Sequence, residues 1–299
     1  MSEFTDFAER LEKIVDEFEA SLPKIEEGMA RKVTALLKEL DLRRNGDVAV
    51  TVRNLRKVRR LRRILDGVIK TPAYEKEVSK LLDAYNLIED VNDKFFTRIV
   101  KDFEKPAILA EIKKLAVDDA LESLTGSGLQ SQVVENVLDI ISSDVKSGVS
   151  FGELVSNVRS FINGTPEQDG KMVRYSKQIV RDSIFQYSGS YNKALTEDLG
   201  LEWFRYVGGT VKDSRELCIN LVEKEWIHAS ELPNIVDGLV NVKGKMVQVE
   251  LYKGKPQGQM PATNAENFQI KRGGFNCMHL MQSVSESQVP KEYRELYKN

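Results

Sequence analysis

"KMVRYSKQIVRDSIFQYSGSYNKALTEDLG" (171–200), followed by "LEWFRYVGG" (201–209), marks the point where the chain changes character. The first segment keeps apolar side chains at helical spacing and stops at Gly200, a residue suited to closing a helix. The second is aromatic-rich and reads as a strand running into a turn. Upstream of this junction the pattern is helical; downstream, helix and strand signals mix. The fold class expected is therefore mainly α, with long helices, a coiled-coil-like N-terminal half and a small C-terminal α+β domain. Three consecutive regions are expected: a helical region (1–125) with a basic helix at 53–69, a central helical part (129–199), and an α+β part with a short tail (200–299).

Upstream, "SFGELVSNVRSFING" (150–164) opens with Ser150 and Glu153, a capping-box pair. "LQSQVVENVLDIISSDVKSG" (129–148) is amphipathic and stops at Gly148, and "TPEQDG" (165–170) reads as a loop. "TGSG" (125–128) is a candidate hinge after a helix that begins near Pro106. Thr71 and Pro72 start a helix of about thirty residues, with Thr as cap and Pro in the first turn. In the first forty residues, Phe4, Phe7, Leu11, Ile14, Phe18, Leu22, Ile25, Met29, Val33, Leu36 and Leu40 form a stripe with steps of three and four. That stripe fits a local bundle or self-association through N-terminal helices. Pro23 is expected to kink it or start a new helix. "DVAVTV" (47–52) reads as helix boundary or short strand.

Downstream, "DSRELCINLVEKEW" (213–226) reads as a helix capped by Asp213, and "IVDGLVNVKGKMVQVELYKG" (235–254) as a hairpin or meander. "GGFNCMHLMQSVS" (273–285) reads as extended and "VPKEYRELYKN" (289–299) as a helical tail.

The 299 residues carry a net charge of -2 and only two cysteines. No run of eighteen uncharged apolar residues occurs, so no membrane is implied, and the acidic N-terminus is not a secretory signal. Two cysteines fit a chain made in the cytoplasm rather than a disulfide scaffold. The charge is uneven: "RNLRKVRRLRR" (53–63) places seven cations in eleven positions. On a helix, Val58, Leu61, Ile64, Leu65, Val68 and Ile69 share one face. Arg53, Arg56, Arg59, Arg60 and Arg63 gather opposite, with Lys57 and Arg62 beside them. Such a stripe pairs with the acidic N-terminal helix of its own chain, stays solvated, neutralises nucleic-acid phosphates, or docks an acidic protein. No aromatics interleave, so base stacking is not indicated.

Cys218, His228, Cys277 and His279 are the only Cys and His in the chain. On a strand, Cys277 and His279 would point to one side. One zinc ion would take Cys218, Cys277 and His279, with His228 or Asp213 as fourth ligand. Buried free thiols or a disulfide are the other readings, and no cofactor is expected on the spacing alone. Nucleotide-binding, serine-hydrolase and zinc-protease signatures are absent, so no enzyme is expected.

The C-terminal motifs then resemble a family. "YSKQIVRDSIFQYSGSYNKAL" (175–195), "GLEWFRYVGGTVKDSRELCINL" (200–221), "ELP" (231–233) and "GGFNCMHLMQSVS" (273–285) follow the order found in the minor head, or head morphogenesis, proteins of tailed bacteriophages, which include the F protein of phage Mu. Arg181-Asp182-Ser183 stands where members carry an Arg-Thr-Glu-like triplet. Asp213, Arg215 and Cys218 match the Asp-x-Arg-x-Cys element with Cys one step late, and Leu221 replaces its second Cys. Asn276-Cys277-Met278-His279 matches the last element with Met in place of Arg. The resemblance covers residues 130–285 and implies a virion protein of the head interior or portal vertex. Its implied partners are the portal protein, other head proteins and packaged DNA, with the arginine face on phosphates or an acidic portal face. An adaptor outside the virion and an effector enzyme or toxin are the alternatives. The latter is disfavoured because only about twenty residues follow His279.

Overall fold

A computed structural model describes residues 3–297. The last residues of the expected tail helix, Lys298 and Asn299, lie outside them. The helical half comprises α1 (Glu3–Leu37), α2 (Val52–Ile69), α3 (Pro72–Ile99) and α4 (Ile108–Thr125). A short α5 (Ser127–Leu129) passes through a π-helical turn (Gln130–Val134) into α6 (Glu135–Ser147), followed by α7 (Phe151–Asn163). Strands β1 (Gly164–Thr165) and β2 (Gln168–Asp169) make a small hairpin before α8 (Lys171–Leu199). Thereafter come β3 (Trp203–Val207), α9 (Glu216–Lys224), β4 (Trp226–His228), α10 (Leu232–Val236), β5 (Leu239–Val242), β6 (Lys245–Gln248), β7 (Leu251–Tyr252), β8 (Lys255–Pro256), α11 (Phe268–Lys271), β9 (Leu280–Val284) and α12 (Lys291–Glu295). The protein is thus mainly α with a small C-terminal α+β part, as the pattern predicts. No helix among the described residues is long and apolar enough to cross a membrane.

The chain forms two compact units that interleave in sequence. One comprises residues 15–81 and 118–179. In it α2 packs on α6 and the π-helical turn, and α6 packs on α7. Leu61, Leu65 and Val68 of α2 and Val137, Ile141 and Val145 of α6 are buried. Helix ends follow the sequence signals closely. Ser150 Oγ accepts from the Glu153 N–H, Thr51 Oγ1 from Asn54 and Thr71 Oγ1 from Tyr74. Gly148 closes α6 with φ +67, a left-handed value that glycine takes without strain. Gly126 and Gly128 of the candidate hinge permit close packing: a Cβ on Gly128 would lie 2.3 Å from the Tyr175 hydroxyl.

The other unit comprises residues 1–14, 82–117 and 180–299. Phe4 meets Phe95 edge-on at 4.6 Å between ring centroids, and Phe96, Phe185 and Leu195 are fully buried. Its sheet has the order β4-β3-β9, antiparallel throughout. The hairpin β5-β6 turns at Lys243-Gly244. Phe204, Tyr206, Leu221, Ile227, Val240 and Phe268 belong to one apolar core.

Five sequence expectations change. Helix α1 runs through Pro23 without a break. Ile14, Ile25 and Leu36 are only half-buried, while Val15, Glu26 and Leu37 take inward positions. Ile64 is 44% exposed instead of joining the buried face of α2. Residues 47–52 keep the boundary reading: they lead into α2 at Val52 and make only isolated bridges, Asp47 with Ser150 and Val48 with Leu42. The N-cap of α9 is Arg215, not Asp213, and extension within 273–285 begins only at Leu280.

Candidate docking face and a convergent thiol–imidazole cluster

Helix α2 is fixed by its inner face and by Asn54. That side chain is fully buried. Its Nδ2 donates to the Asp41 and Ala49 carbonyls at 2.9 and 2.8 Å, and its Oδ1 accepts from the Asp41 N–H at 2.9 Å. The segment leading into α2 is thereby clamped to its first turn. Asp41 meets Arg53 at 3.4 Å and Lys57 at 2.9 Å, and Lys57 also donates to the Glu39 carbonyl. The Lys57 hydrogen bond, with Arg53 adding, holds the Asp41 carboxyl below its usual range. Arg62 pairs with Glu135 of α6.

Arg56, Arg59, Arg60 and Arg63 are exposed, and none has an ion pair among the described residues. At ~100° per residue these four fall within an arc of about 100°. The paired cations Lys57 and Arg62 flank that arc. Of the sequence readings, pairing within the chain is realised in part: the acids that engage Arg53, Lys57 and Arg62 are Asp41 and Glu135. What remains is a strip of unneutralised guanidinium on a well-anchored helix, suited to phosphates or carboxylates.

In the other unit, the motif residues converge. Cys218 lies on the buried side of α9, and Cys277 and His279 sit in the loop before β9. One donor atom from each of these three residues can be chosen so that all lie within 4.8 Å of one another. Cys277 Sγ is 3.5 Å from His279 Nδ1. The Tyr206 hydroxyl, reaching in from β3, is 3.8 Å from Cys218 Sγ and 3.7 Å from Cys277 Sγ. The Tyr206 and His279 rings stack at 5.3 Å. His279 Nε2 is buried with no partner among the described residues. His228 stands apart: its Nδ1 meets Ser230 Oγ at 2.8 Å and its ring stacks on Tyr297. Asp213 does not join the cluster either.

The loop that carries Cys277 is held from several sides. Asp182 Oδ1 accepts from the Asn276 N–H at 2.6 Å, fixing a residue whose φ is +58. Arg215 donates to the Gly273 carbonyl at 2.9 Å and to the Phe275 carbonyl. Arg272, only 2% exposed, donates to the Phe185 carbonyl of α8. Two glycines let backbone approach: a Cβ on Gly273 would lie 2.2 Å from Cys218 Sγ, and one on Gly208 2.8 Å from the His279 ring. The two thiols titrate together. The hydrogen bond to Cys277 and then burial push Cys218 up. The hydrogen bond from Cys218 pulls Cys277 down against burial, with His279 and Arg272 helping. Both cysteines are free, with no disulfide between them.

Sequence reasoning brought forward Cys218, Cys277 and His279, and the structure brings them together. It missed Tyr206 and Arg272. Tyr206 was legible in part: it alternates with Phe204 along β3, so both belong to one face. Arg272 was not, because nothing local marks a buried arginine.

No family model matches the chain, and no curated protein or solved structure matches it.

Proposed function

We propose that this protein is a non-catalytic structural and assembly protein of a tailed-phage head, docking near the portal and laying the α2 arginine strip on packaged DNA. The observation that carries the binding role is the set Arg56, Arg59, Arg60 and Arg63, exposed and unpaired among the described residues beside three cations that are paired. Like charges three and four residues apart on a helix destabilise it, so such a strip is maintained against its own repulsion. Contact with phosphates would relieve that repulsion and release counterions.

The head assignment is supported by the motif resemblance and by the meeting of its elements around one loop. Asp182 of the triplet binds Asn276, Arg215 binds Gly273 and Phe275, and Cys218 faces Cys277 and His279. These residues are up to ninety-odd positions apart in sequence, so their convergence gives the motif order a structural reason.

The test has two arms. Mass spectrometry of purified particles should find the chain at a fixed, low stoichiometry. DNA retardation across a salt series should show that replacing the four arginines by Gln flattens the log–log salt slope by roughly three to four. DNA binding by a chain absent from particles would favour an adaptor outside the virion. An unchanged slope would leave the strip to an acidic protein surface.

A further inference from the structure

We propose that Cys218, Cys277 and His279, completed by the Tyr206 hydroxyl, form a tetrahedral site for a zinc-class divalent cation that ties α9, β3 and the loop before β9 together. The proposal is independent of the arginine strip and of the head assignment.

The donor chemistry suits such an ion: two thiols and an imidazole are what zinc prefers in structural sites. The spacing suits it as well. With metal–sulfur bonds of about 2.3 Å and metal–nitrogen bonds of about 2.0–2.1 Å, a tetrahedron has a sulfur–nitrogen edge of about 3.6 Å. The Cys277–His279 separation is 3.5 Å. Sulfur–oxygen edges come out at about 3.5 Å on the same bond lengths. The Tyr206 oxygen is 3.8 and 3.7 Å from the two sulfurs, close to those edges. Small inward movements complete the geometry, since the three soft donors already lie within 4.8 Å of one another.

A second observation is the charge balance. Arg272 is 2% exposed, and its recorded bond is to a carbonyl, not a carboxylate. A buried guanidinium needs a negative counterpart close by. Two thiolates cancel a dication, and a phenolate added to them leaves the set with one negative charge. Arg272 directly precedes Gly273, whose backbone abuts both sulfurs. The site is closed in the manner of structural metal centres, with Cys218, Cys277 and His279 all buried. Gly273 and Gly208 leave the room it needs, because a Cβ at either would press on a donor residue. Binding releases the protons of both thiols and the phenol to solvent, with no change of oxidation state.

The full chain, purified anaerobically from zinc-supplemented cells, should carry about one equivalent of zinc by elemental analysis. Cobalt(II) added to the metal-stripped chain should give thiolate-to-cobalt charge-transfer absorption and intense tetrahedral ligand-field bands. Cys218→Ser and Cys277→Ser should abolish both, and His228→Gln should change neither. Tyr206→Phe should keep the charge-transfer band but shift the ligand-field bands, as water replaces the phenol. Should the serine variants fail to fold, the cobalt titration of the unsubstituted chain decides alone. Two freely titrating thiols with no cobalt spectrum, or a Cys218–Cys277 disulfide in the anaerobic protein, would overturn the site. An unshifted Tyr206→Phe spectrum would remove Tyr206 from it.

Discussion

The carboxyl group of Glu26, midway along α1, accepts a 2.9 Å hydrogen bond from the backbone N–H of Val173 in the first turn of α8. The first N–H groups of a helix lack partners within it, so Glu26 serves as a cap supplied from 147 residues away. Gly170 makes room for it: a Cβ there would lie 2.7 Å from Glu26 Oε1 and closer still to the Ile162 carbonyl. Glu26 is also 3% exposed. A buried carboxyl with one donor is a titrating element within the helical core.

Burial pushes the Glu26 pKa from 4.5 up to about 7, against the lowering effect of the Val173 N–H and with Asp169 adding to the rise. The folded state therefore keeps a proton that the unfolded chain has already released. Its stabilising contribution is complete below about pH 4.5 and fades as pH rises through 7. The fade amounts to about 3 kcal/mol. Glu26→Gln keeps an acceptor for Val173 and has nothing to titrate. Urea midpoints taken from pH 5 to 8 should fall for the native chain and stay nearly flat for the variant, which should be the more stable at pH 8. Parallel profiles would mean that Glu26 is already ionised in the fold.

The arginine strip carries a stability cost that can be measured without any ligand. Arg56 and Arg60, and Arg59 and Arg63, are i,i+4 pairs of like charge on α2. The first turn of that helix holds no acid to complement its dipole. Each like pair destabilises by a few tenths of a kcal/mol at low salt. The quadruple Gln variant should therefore melt above the native chain in low salt, with the gap closing as salt screens the charges. A lower melting temperature in low salt would show that these arginines support the fold, and the docking role would lose its physical basis.

Asn54 should be the most sensitive polar position of the docking face. Asn54→Leu keeps the volume but strands the Asp41 N–H and takes one of two donors from the Asp41 and Ala49 carbonyls, which keep the Ala49 and Thr51 N–H groups. Leaving that donor unsatisfied costs about 1–3 kcal/mol. Hydrogen exchange should rise across residues 41–51, while α2 beyond Val58 keeps its protection through Leu61, Leu65 and Val68. Uniform loss of protection along α2 would contradict the local clamp.

Much of this was legible in local sequence. Ser150, Thr51, Thr71, Gly148 and Gly200 all mark helix ends, because caps and left-handed stops depend on one or two residues. The arginine strip was legible because exposure follows helical periodicity once the buried face is known. Pairing was not: Glu135 and Asp41 reach the cations through folding, not through spacing. The thiol–imidazole cluster was visible as composition but not as geometry. Cys277 and His279 meet without lying on a strand, in a loop that passes through positive φ at Asn276. Glu26 was hidden because an acid on an apolar stripe reads as a boundary residue until its distant donor is seen.

Pro23 is the plainest local rule overruled by its context. Proline inside a helix removes one N–H and crowds the preceding turn, at a cost of about 3 kcal/mol. Helix α1 nevertheless continues across it for the full 35 residues. Pro23 is exposed, whereas Leu22, Glu26, Met29 and Ala30 around it are buried, so the defect faces outward and the inner face stays packed. Burial of that face outweighs the bond that a proline nitrogen cannot donate. Pro23→Ala restores the donor without altering any buried side chain. It should stabilise the chain by about 1–3 kcal/mol, read as a higher urea midpoint with an unchanged slope. A destabilised Pro23→Ala variant would mean that the proline sets a bend on which the burial of Leu22 and the reach of Glu26 to Val173 depend. The Glu26 pH profile would then shift in the same variant, which separates a bend from a simple loss of packing.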